Sequence, residues 1–438
     1  MQKTKEEILS ISNKEGIKFI EMQFMDILGH VKTVSIPARL LEKAINEGVL
    51  FDGSSIVGYA TINESDMRAV PDLSTFQIFP WTENSIKTAR LICDIYDSSG
   101  NRFEGDPRYV LQKSLKKAKD MGFRFNTGPE FEFFLFRLDN SGIVLPEPDD
   151  KGGYFDLLPD DRAEHVRKES ALILDMMDFN VEATHHEVSP GQHEVDLKYT
   201  DAMRSANRIM TLKYAIKTVA MKHGLFASFM PKPIYGINGN GMHIHMSLEN
   251  LDGQNAFYDA NTKDMLSDTA KYFIGGLIDH SLETCGVIAS WVNSYKRLVP
   301  GYEAPVYVSW DHLNRSALFR VPAGREKNTR VEVRNPDPAG NPYLQFAVLL
   351  ESGLDGIKNK TFPPEPSHIN LFEEKNDSIK VLPENLGHAL SYMENSDFIK
   401  EALGEHLFNN FLYIKKKEWE DYRSQITEWE LKNLLPLL

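Results

Sequence analysis

The most informative pattern in the chain is an alternation of carboxylates and aromatic residues in the run GPEFEFF, which begins at Gly128. Residues two apart in a strand point to the same face, so Glu130 and Glu132 emerge together while Phe131 and Phe133 pack on the opposite face. Two adjacent carboxylates in apolar surroundings raise each other's pKa or bind a metal ion. One such pattern alone is also typical of the solvated face of an edge strand, so the choice between a metal site and a solvated face depends on the other segments of the chain.

Three further segments repeat this alternation, with polar ligand types on one strand face and apolar residues on the other. They are His243 and His245 in GMHIHMSL, Arg330, Glu332 and Arg334 in TRVEVRN, and Glu187 and Glu194 on the two sides of the Pro-Gly turn in HHEVSPGQHEVDL. The last pair fits two antiparallel strands that each present one carboxylate. Each pattern alone also occurs on solvated strands, but all of them together favour a shared site.

If these faces line one cavity, its oxygen-rich ligand set suits Mg²⁺ or Mn²⁺ better than a lone catalytic Zn²⁺. The carboxylates would need at least two divalent ions to balance their charge. Paired divalent ions that face arginine are typical of phosphoryl transfer. The basic residues available are Arg297, Arg315, Arg320, Arg325, Lys327 and Arg330. The alternative interpretation is a set of surface ion pairs, each of which contributes little to stability.

A glycine-rich loop, KPIYGINGNGMH, precedes the histidine strand. It does not match GxGxxG and precedes no predicted helix, so a dinucleotide site is not expected here. Gly236, Gly239 and Gly241 would let backbone amides approach a small ligand, with Asn238 as a polar contact. A flexible hairpin is the structural alternative.

The remaining hydrophobic pattern predicts an α+β protein without strict βαβ alternation. Residues 1–103 form a small unit of short apolar strands around one helix, and the acidic segment YDSSGNRFEGDPR leads into a larger unit, 104–438. The predicted elements are helices over 38–50, 107–123, 161–179, 205–224 and 415–438, a strand over 123–136 and a strand pair over 186–199. The last helix ends in an apolar tip, LLPLL, which suggests docking on another subunit or folding back onto its own domain.

Composition excludes several classes of function. The formal net charge of -14 argues against a nucleic-acid-binding surface, because phosphate binding would need a basic stripe. The N-terminus lacks a signal peptide and no apolar run is long enough to cross a bilayer, so we expect a cytoplasmic protein that binds neither membrane nor nucleic acid. Cys93 and Cys285 are too few for a disulfide framework or a cysteine-based zinc site.

Several blocks of the chain stand in the order found in one family. They are FDGSS, GPEFEFF, HHE with GQHEV, KPIYGINGNGMHIHMSL, RLVPGYEAPVY, NRSALFR and RVEVRNPDPAGNPYL. As a set they resemble the signature blocks of bacterial and archaeal type I glutamine synthetases and cover almost the whole chain. The resemblance implies an N-terminal β-grasp domain over 1–103 and a catalytic domain over 104–438. The second would have a curved antiparallel sheet lining the active site and a C-terminal helical tail.

The resemblance further implies ATP-dependent condensation of glutamate with ammonia through γ-glutamyl phosphate, a step of nitrogen assimilation. ATP would be the co-substrate, with at least two Mg²⁺ or Mn²⁺ ions in each active site. One metal site would comprise Glu132, Glu187 and Glu194, and the second Glu130, His243 and Glu332. Glutamate would bind Asn238, Gly239, Arg297, Glu303 and Arg334. ATP would bind Glu182, Tyr199, His245, Ser247, Arg315, Arg320, Lys327 and Arg330.

The family resemblance assigns catalytic roles to Asp52, Glu303 and Arg315. Asp52 would come from a neighbouring subunit, within a dodecamer of two stacked hexameric rings, and would deprotonate ammonium. The ammonium site would comprise Asp52, Ser55, Tyr154 and Glu187. Glu303, in the PGYE flap, would close over the intermediate, exclude water and accept a proton from the tetrahedral adduct.

Two departures from the family pattern concern regulation. Phe372 stands in HINLFEEK, where the branch controlled by adenylylation has a tyrosine, so adenylylation there is not expected. The chain also looks short of that branch's extra segment, so it resembles the α subtype. Thr61 stands beside the ESDM block, where some members of the subtype have an arginine that supports glutamine feedback. A nitrogen-sensing regulatory partner is compatible with the sequence but is not identified by it.

Three rival functions compete with this interpretation. A related ligase that joins glutamate to another amine would keep the metal and phosphate residues but lose the compact ammonium site. A zinc amidohydrolase would need additional histidine or aspartate ligands and no ATP site. A noncatalytic homologue would leave buried carboxylates without a counter-ion, which is costly.

Overall fold

The computed structural model describes residues 3–59, 65–157, 162–374 and 376–438. Thr61, on which the feedback argument depends, lies outside these residues. The described chain divides into a small N-terminal sheet with its helices and a larger sheet covered by helices.

The N-terminal unit carries a mixed sheet. Its elements are α1 (Lys5–Lys14), β1 (Phe19–Met25), β2 (Val31–Pro37), α2 (Leu41–Glu47), β3 (Val49–Asp52), β4 (Asp66–Ile78) and β5 (Thr88–Tyr96). In the described residues the strand order is β2-β1-β5-β4-β3, with β1 and β5 parallel and the other neighbours antiparallel. This mixed α+β unit agrees with the sequence prediction, although the helix predicted over 38–50 ends at Glu47. Gly48 then takes a positive φ of 74°, and the chain continues as β3.

The larger unit is built around one long strand. Its first elements are α3 (Pro107–Asp120), β6 (Phe123–Leu138), β7 (Val144–Pro148), α4 (Arg162–Met176), β8 (Val181–His186), β9 (Gln192–Leu197), β10 (Thr200–Asp201), α5 (Ala202–Lys222), β11 (Leu225–Ser228) and β12 (Ile244–Asn250). It continues with α6 (Asp268–Asp279), α7 (Ser281–Ile288), α8 (Ser294–Arg297), β13 (Trp310–His312), β14 (Phe319–Val321), β15 (Val331–Val333) and α9 (Pro342–Asn359). Four helices close it: α10 (Leu386–Glu394), α11 (Asp397–Leu403), α12 (Glu405–Arg423) and α13 (Glu428–Asn433).

The large sheet is antiparallel with one exception. Its described strands run in the order β13-β14-β15-β12-β6-β9-β8, and β7, β10 and β11 also pair with β6. The sequence predicted an antiparallel sheet, and the pairs around β6 agree with it, but β13 and β14 are parallel. The long β6 therefore forms the centre to which the other strands are registered.

Helix starts follow the local capping signals. Asp106 caps α3, where its side chain accepts a hydrogen bond from the Arg108 amide and Pro107 occupies the first turn. Asp201 caps α5 in the same way. The helix predicted over 415–438 is wrong as a single element, because α12 ends at Arg423 and α13 begins only after Thr427, which caps it in a capping box.

The apolar C-terminal tip does not fold back onto its own domain. Leu435 and Leu437 are 71% and 79% exposed, and Leu438 is fully exposed. Of the two sequence interpretations, docking on another subunit is the one that this conformation leaves open.

Buried ion pairs fix the two units to each other. Arg108, at the start of α3, pairs with Asp94 of β5 and with Asp72 of β4, the latter through an Nη2–Oδ2 distance of 2.5 Å. Asn341, which caps α9, donates through Nδ2 to the Asp26 carbonyl at 2.9 Å. These contacts hold the small sheet against the large unit. In the described part of the chain, none of the helices combines the length and apolarity that a bilayer crossing requires.

Candidate active site

Two adjoining cavities open on one face of the large sheet. The first, here called the carboxylate cavity, measures about 510 Å³ and is lined by Glu130, Glu132, Glu187, Glu194 and Glu332 together with Arg297, Arg315, Arg320 and Arg334. The second, here called the side cavity, measures about 400 Å³ and is lined by Glu182, Tyr199, His245, Ser247, Lys327 and Arg330. Glu130 and Asp196 line both, so the two cavities meet at these side chains.

Strand register places the acidic side chains next to one another. Glu132 on β6 is directly opposite Glu194 on β9, and Glu130 is opposite Asp196. On the other side of β6, His245 of β12 is opposite Glu332 of β15. The alternate residues of β6 are fully buried phenylalanines in the core, so the predicted separation of polar and apolar faces is confirmed.

Glu132, Glu187 and Glu194 form one acidic group. Glu132 Oε2 accepts hydrogen bonds at 2.8 Å from both Gln192 Nε2 and the Gly241 amide. Burial and the nearby Glu187 raise the pKa of Glu132 to about 8. Burial and Glu132 also raise the pKa of Glu194 well above its usual range. Desolvation and mutual repulsion thus disfavour ionisation of these groups, and a cation between them would offset that cost.

Glu130 accepts hydrogen bonds from two imidazoles. Its Oε2 lies 3.0 Å from His243 Nδ1, and its Oε1 lies 2.7 Å from His245 Nε2. Burial opposes ionisation of Glu130, but the hydrogen bonds from the two histidines hold its pKa well below the usual range. Glu130 is therefore an ionised carboxylate that is hydrogen bonded to two imidazole nitrogens.

Glu332 is completely buried and lies between two arginines. Arg320 Nη1 is 2.5 Å from Glu332 Oε2, and Arg334 Nη1 pairs with Oε1. Burial opposes ionisation, but Arg334 lowers the pKa of Glu332 to about 2. Arg320 and Arg334, which the sequence assigns to ATP and glutamate, thus both contact a carboxylate that it assigns to a metal.

One described cluster that could hold a metal ion consists of Glu130, His245 and Glu332, whose ligand atoms all lie within 4.8 Å of one another. The sequence indicated His243 instead of His245. His243 Nδ1 is also near, at 4.0 Å from Glu332 Oε1. Both histidines therefore lie within reach of this position.

A second described cluster consists of His185, Glu187 and Glu194. The sequence indicated Glu132 where this cluster has His185. His185 Nε2 lies 3.1 Å from Glu194 Oε1, and Glu132 is the residue opposite Glu194 on the next strand. The carboxylate-rich donor sets of both clusters fit Mg²⁺ or Mn²⁺, which prefer oxygen ligands. The raised pKa values of Glu132, Glu187 and Glu194 show that this acidic group lacks a protein counter-ion of sufficient charge.

The residues expected to bind glutamate all line the carboxylate cavity: Asn238, Gly239, Arg297, Glu303 and Arg334. Asn238 Nδ2 donates to Glu303 Oε2 at 3.3 Å. Glu303 has a left-handed φ of 55°, which is strained for a residue with a Cβ. Arg297 donates to the carbonyls of Arg334 and Asn335 at 3.0 Å, so backbone contacts fix its guanidinium.

Six of the eight residues expected to bind ATP line the side cavity, while Arg315 and Arg320 line the carboxylate cavity. The Tyr199 and Ser247 hydroxyls are hydrogen bonded to each other. Arg330 Nε donates to His245 Nδ1 at 3.1 Å. The basic residues are thus divided between the two cavities.

The expected ammonium residues are only partly together. Tyr154 and Glu187 line the carboxylate cavity, whereas Asp52 and Ser55 are not among the described residues that line either cavity. Asp52 is exposed, and hydrogen bonds from Ser54 and Ser55 lower its pKa. Its carboxylate is therefore ionised and available to another chain.

Sequence reasoning missed Asp196, His185 and Gln192, which also line the carboxylate cavity. Asp196 stands two residues after Glu194, so the alternation that identified Glu130 and Glu132 could have identified it as well. His185 precedes the expected carboxylate by two residues in HHE. Gln192 carried no such signal, because its contact with Glu132 depends on the pairing of β6 with β9.

A larger and more apolar cavity of about 980 Å³ lies between the small sheet and α5. The residues described around it include none of the candidates, and it lacks their carboxylate cluster. The chemistry therefore concentrates in the two smaller cavities.

Comparison with known proteins agrees with this arrangement. Residues 16–98 match the glutamine synthetase β-grasp domain, and residues 104–434 match the glutamine synthetase catalytic domain. The chain is 51% identical over 437 residues to a glutamine synthetase of Clostridium saccharobutylicum, covering 99% of this chain and 98% of the relative. It is 50% identical over 440 residues to a glutamine synthetase of Methanosarcina mazei, with 99% and 98% covered.

A solved complex of GmaS with ADP has a TM-score of 0.91 and 32% identity, with all of both chains covered. The β-grasp and catalytic domains predicted from the sequence are thus confirmed as the two domain types of this protein. Given both domain matches and half-identical relatives over the full length, the chain belongs to the glutamine synthetase family.

Proposed function

We propose that this protein is a glutamate–ammonia ligase that couples ATP hydrolysis to glutamine synthesis. Glutamate and ATP give γ-glutamyl phosphate and ADP, and ammonia then displaces phosphate to give glutamine. The single observation that carries the proposal is the carboxylate cavity, in which six glutamates face four arginines beside a second cavity with basic residues. That arrangement suits transfer of a phosphoryl group to a carboxylate.

The two divalent ions, Mg²⁺ or Mn²⁺, would be held by Glu132, Glu187 and Glu194 and by Glu130, His243 and Glu332. His185 and His245 stand near enough to assist at each. When bound, such ions neutralise phosphate oxygens and polarise the transferred group. The protein's own contribution is a set of carboxylates, most of them on paired strands, whose mutual repulsion favours cation uptake.

ATP would enter the side cavity and contact Glu182, Tyr199, His245, Ser247, Lys327 and Arg330. Arg315 and Arg320, on the carboxylate side, would contact the γ-phosphoryl group as its charge is redistributed. Because the two cavities meet at Glu130 and Asp196, the phosphoryl group can pass from one to the other over a short distance.

Glutamate would bind Asn238, Gly239, Arg297 and Arg334, with its side-chain carboxylate towards the side cavity. Glu303 lies on a turn that lines the carboxylate cavity. Its hydrogen bond with Asn238 joins that turn to the glycine-rich loop that would bind glutamate. Closure of this turn would exclude water from the acyl phosphate, and Glu303 would accept a proton from the tetrahedral adduct.

Ammonium would bind near Tyr154 and Glu187, and Asp52 and Ser55 of a neighbouring subunit would complete the site. Asp52 would take a proton from ammonium so that neutral ammonia can attack. The family resemblance implies a dodecamer of two hexameric rings, and two observations support contacts between subunits: Asp52 lies outside the cavities of its own chain, and the apolar C-terminal tip is exposed. We also propose that the two domains meet between residues 103 and 104 and that the protein belongs to the α subtype.

Regulation would differ from the adenylylated branch. Phe372 offers no hydroxyl for modification, and a nitrogen-sensing protein or a metabolite would control the enzyme instead. We expect it to work in the cytoplasm, where glutamate, ATP and ammonium are available.

Purified protein with Mg²⁺, ATP, glutamate and ammonium should yield glutamine, ADP and phosphate in equal amounts. Replacing ammonium with methylamine, ethylamine or a polyamine tests the rival ligase. ADP release that depends on one of these amines and not on ammonium would overturn the proposal in favour of that rival. Absence of any glutamate-dependent ADP release would overturn both.

A further inference from the structure

Asp150 lies behind the carboxylate cavity, on the loop that follows β7, and carries several hydrogen bonds on one oxygen. Its Oδ1 accepts from the Gly152 amide at 2.9 Å, the Gly191 amide at 2.9 Å and His186 Nε2 at 2.8 Å. These donors belong to three different segments: the loop that leads to Tyr154, the Pro-Gly turn, and the end of β8. Asp150 therefore connects its own loop to the hairpin that carries His186 and Gly191.

His186 connects Asp150 to the backbone of Glu187. The ring is buried, and its Nδ1 lies 2.7 Å from the Glu187 carbonyl oxygen while its Nε2 faces Asp150. Both oxygens can only accept, so both ring nitrogens donate and the ring cannot rotate without losing a contact. The backbone of Glu187 is thereby held at a fixed distance from Asp150.

His193 is the chain neighbour of Glu194, and its ring also faces Asp150. Arg167 Nη1 lies 2.6 Å from His193 Nδ1, and a guanidinium can only donate, so Nδ1 accepts and Nε2 carries the proton. That Nε2 is 3.5 Å from Asp150 Oδ2, and neither atom has another hydrogen-bond partner among the residues that the structure describes. His193 is fully buried, and Glu194 is the next residue.

Asp150, His186 and His193 also have the composition of a metal site, since their ligand atoms lie within 4.8 Å of one another. The donors argue against that use. A protonated Nε2 on His193 cannot ligate a metal, and the His186 Nε2 proton already occupies the Asp150 oxygen. The Arg167 guanidinium adds a positive charge beside the cluster.

We propose that Asp150 is a positioning residue that fixes the segments bearing Tyr154, Glu187 and Glu194, and so sets the geometry of the metal and ammonium side of the active site. The inference rests on the proposed function for the roles of those three residues. The close packing supports it, because a Cβ on Gly152 would lie 2.6 Å from His186 Nε2. None of Asp150, His186 and His193 is among the described residues that line the side cavity, so ATP binding should depend little on Asp150.

The test is Asp150→Asn in the full-length enzyme. The amide keeps the size of the side chain, but one of its atoms becomes a donor, which would face an N–H of His186 or His193. Mn²⁺ binding, followed by the electron paramagnetic resonance signal of free Mn²⁺, should weaken by about 10-fold or more at one class of site. The KM for ammonium should rise by a similar factor, whereas the KM for ATP should stay within about twofold of wild type.

Asp149→Asn is the matched control, because Asp149 is the adjacent buried aspartate and pairs instead with Arg162 at 2.5 Å and with Arg137. It should change thermal stability without the selective loss of Mn²⁺ and ammonium binding. If Asp150→Asn fails to fold, His186→Gln replaces it, since glutamine can donate to Asp150 but not also to the Glu187 carbonyl.

Unchanged Mn²⁺ affinity, or a parallel rise in the KM values for ammonium and ATP that matches the control, would overturn the positioning role. An additional bound Mn²⁺ that is lost with Asp150 while the active-site ions remain would overturn it in favour of a separate metal site. Because the Mn²⁺ titration needs no turnover, it tests the positioning role even if the protein makes no glutamine.

Discussion

At the scale of single residues, Glu130 is the point where the two cavities meet. It accepts from His243 on one oxygen and from His245 on the other, so both oxygens have fixed directions before any substrate arrives. Glu132, two residues later, has no such imidazole donors and is surrounded by other carboxylates. The pair that looks symmetric in GPEFEFF thus consists of one ionised and one protonated carboxylate at neutral pH in the metal-free protein.

This difference predicts a pH effect on stability. The pKa of Glu132 is 4.5 in an unfolded chain and is raised to about 8 in the fold by burial and by Glu187. The folded state therefore binds a proton that the unfolded state releases, and the metal-free protein should lose stability as the pH rises from about 4.5 to about 8. Glu132→Gln keeps an acceptor for Gln192 and Gly241 and removes the ionisation, so it should be more stable than wild type at about pH 8 by on the order of 2 kcal/mol.

Urea denaturation in the presence of EDTA at about pH 5 and at about pH 8 would check this prediction, with a small difference between the proteins expected at the lower pH. Added Mg²⁺ supplies the control, because it should stabilise the wild type more than the variant. A variant that is less stable than wild type at both pH values would contradict the assignment.

At the scale of elements, α3 is the helix that joins the two units. Its first turn carries Arg108, which is buried between Asp72 and Asp94 of the small sheet. Its exposed middle carries Lys116, whose ion pair with Asp120 lies in solvent. Helix α3 therefore carries a buried arginine that pairs with the small sheet and an exposed ion pair on its own surface.

Arg108→Ala should destabilise the protein by on the order of 3 kcal/mol, because Asp72 loses its ion-pair partner and Asp94 keeps only Arg102. Lys116→Ala on the same helix should change the free energy of unfolding very little. Chemical denaturation followed by tryptophan fluorescence would measure both. Similar effects for the two variants would show that the junction does not depend on the buried pair.

Element by element, the sequence predicts what depends on local signals. Asp106 with Pro107 specifies the start of α3, and the alternation through GPEFEFF specifies β6 and its faces. The Pro-Gly turn predicts that β8 pairs with β9, but no local signal specifies that β6 pairs with β9, so the contact of Gln192 with Glu132 could not be foreseen. The break before α13 was missed because Thr427 starts a new capping box inside an amphipathic run.

At the scale of the whole molecule, the proposed ammonium site is incomplete within one chain, which predicts an active site shared between subunits. Asp52→Ala should retain ATP binding and lose ammonium use, and Glu332→Ala should lose metal binding. If each site takes Asp52 from one chain and Glu332 from another, co-refolded mixtures of the two inactive variants should recover about a quarter of wild-type activity. Each variant mixed with itself is the control, and mixtures as inactive as their parents would place both residues in sites within one chain.

The exposed C-terminal leucines predict a role in assembly. Deleting residues 434–438 removes side chains that are mostly in solvent in one chain, so it should leave the fold intact but weaken a subunit contact. Native mass measurement should then show particles smaller than those of the wild type. Replacing exposed Ile426, outside the tip, with serine is a matched control; equal particle sizes for all three proteins would refute the role of the tip.

The division of the site between strands and turns has a consequence for how this enzyme could change its substrate. Glu130, Glu132 and Glu332 belong to hydrogen-bonded strands whose alternate residues form the core, so few substitutions can move them without disturbing packing. Tyr154 and Glu303 stand on turns, and Asp52 is exposed at the end of a short strand. Selection for a bulkier amine could therefore act on the turns alone, and phosphorylation of glutamate would be inherited unchanged by the new enzyme.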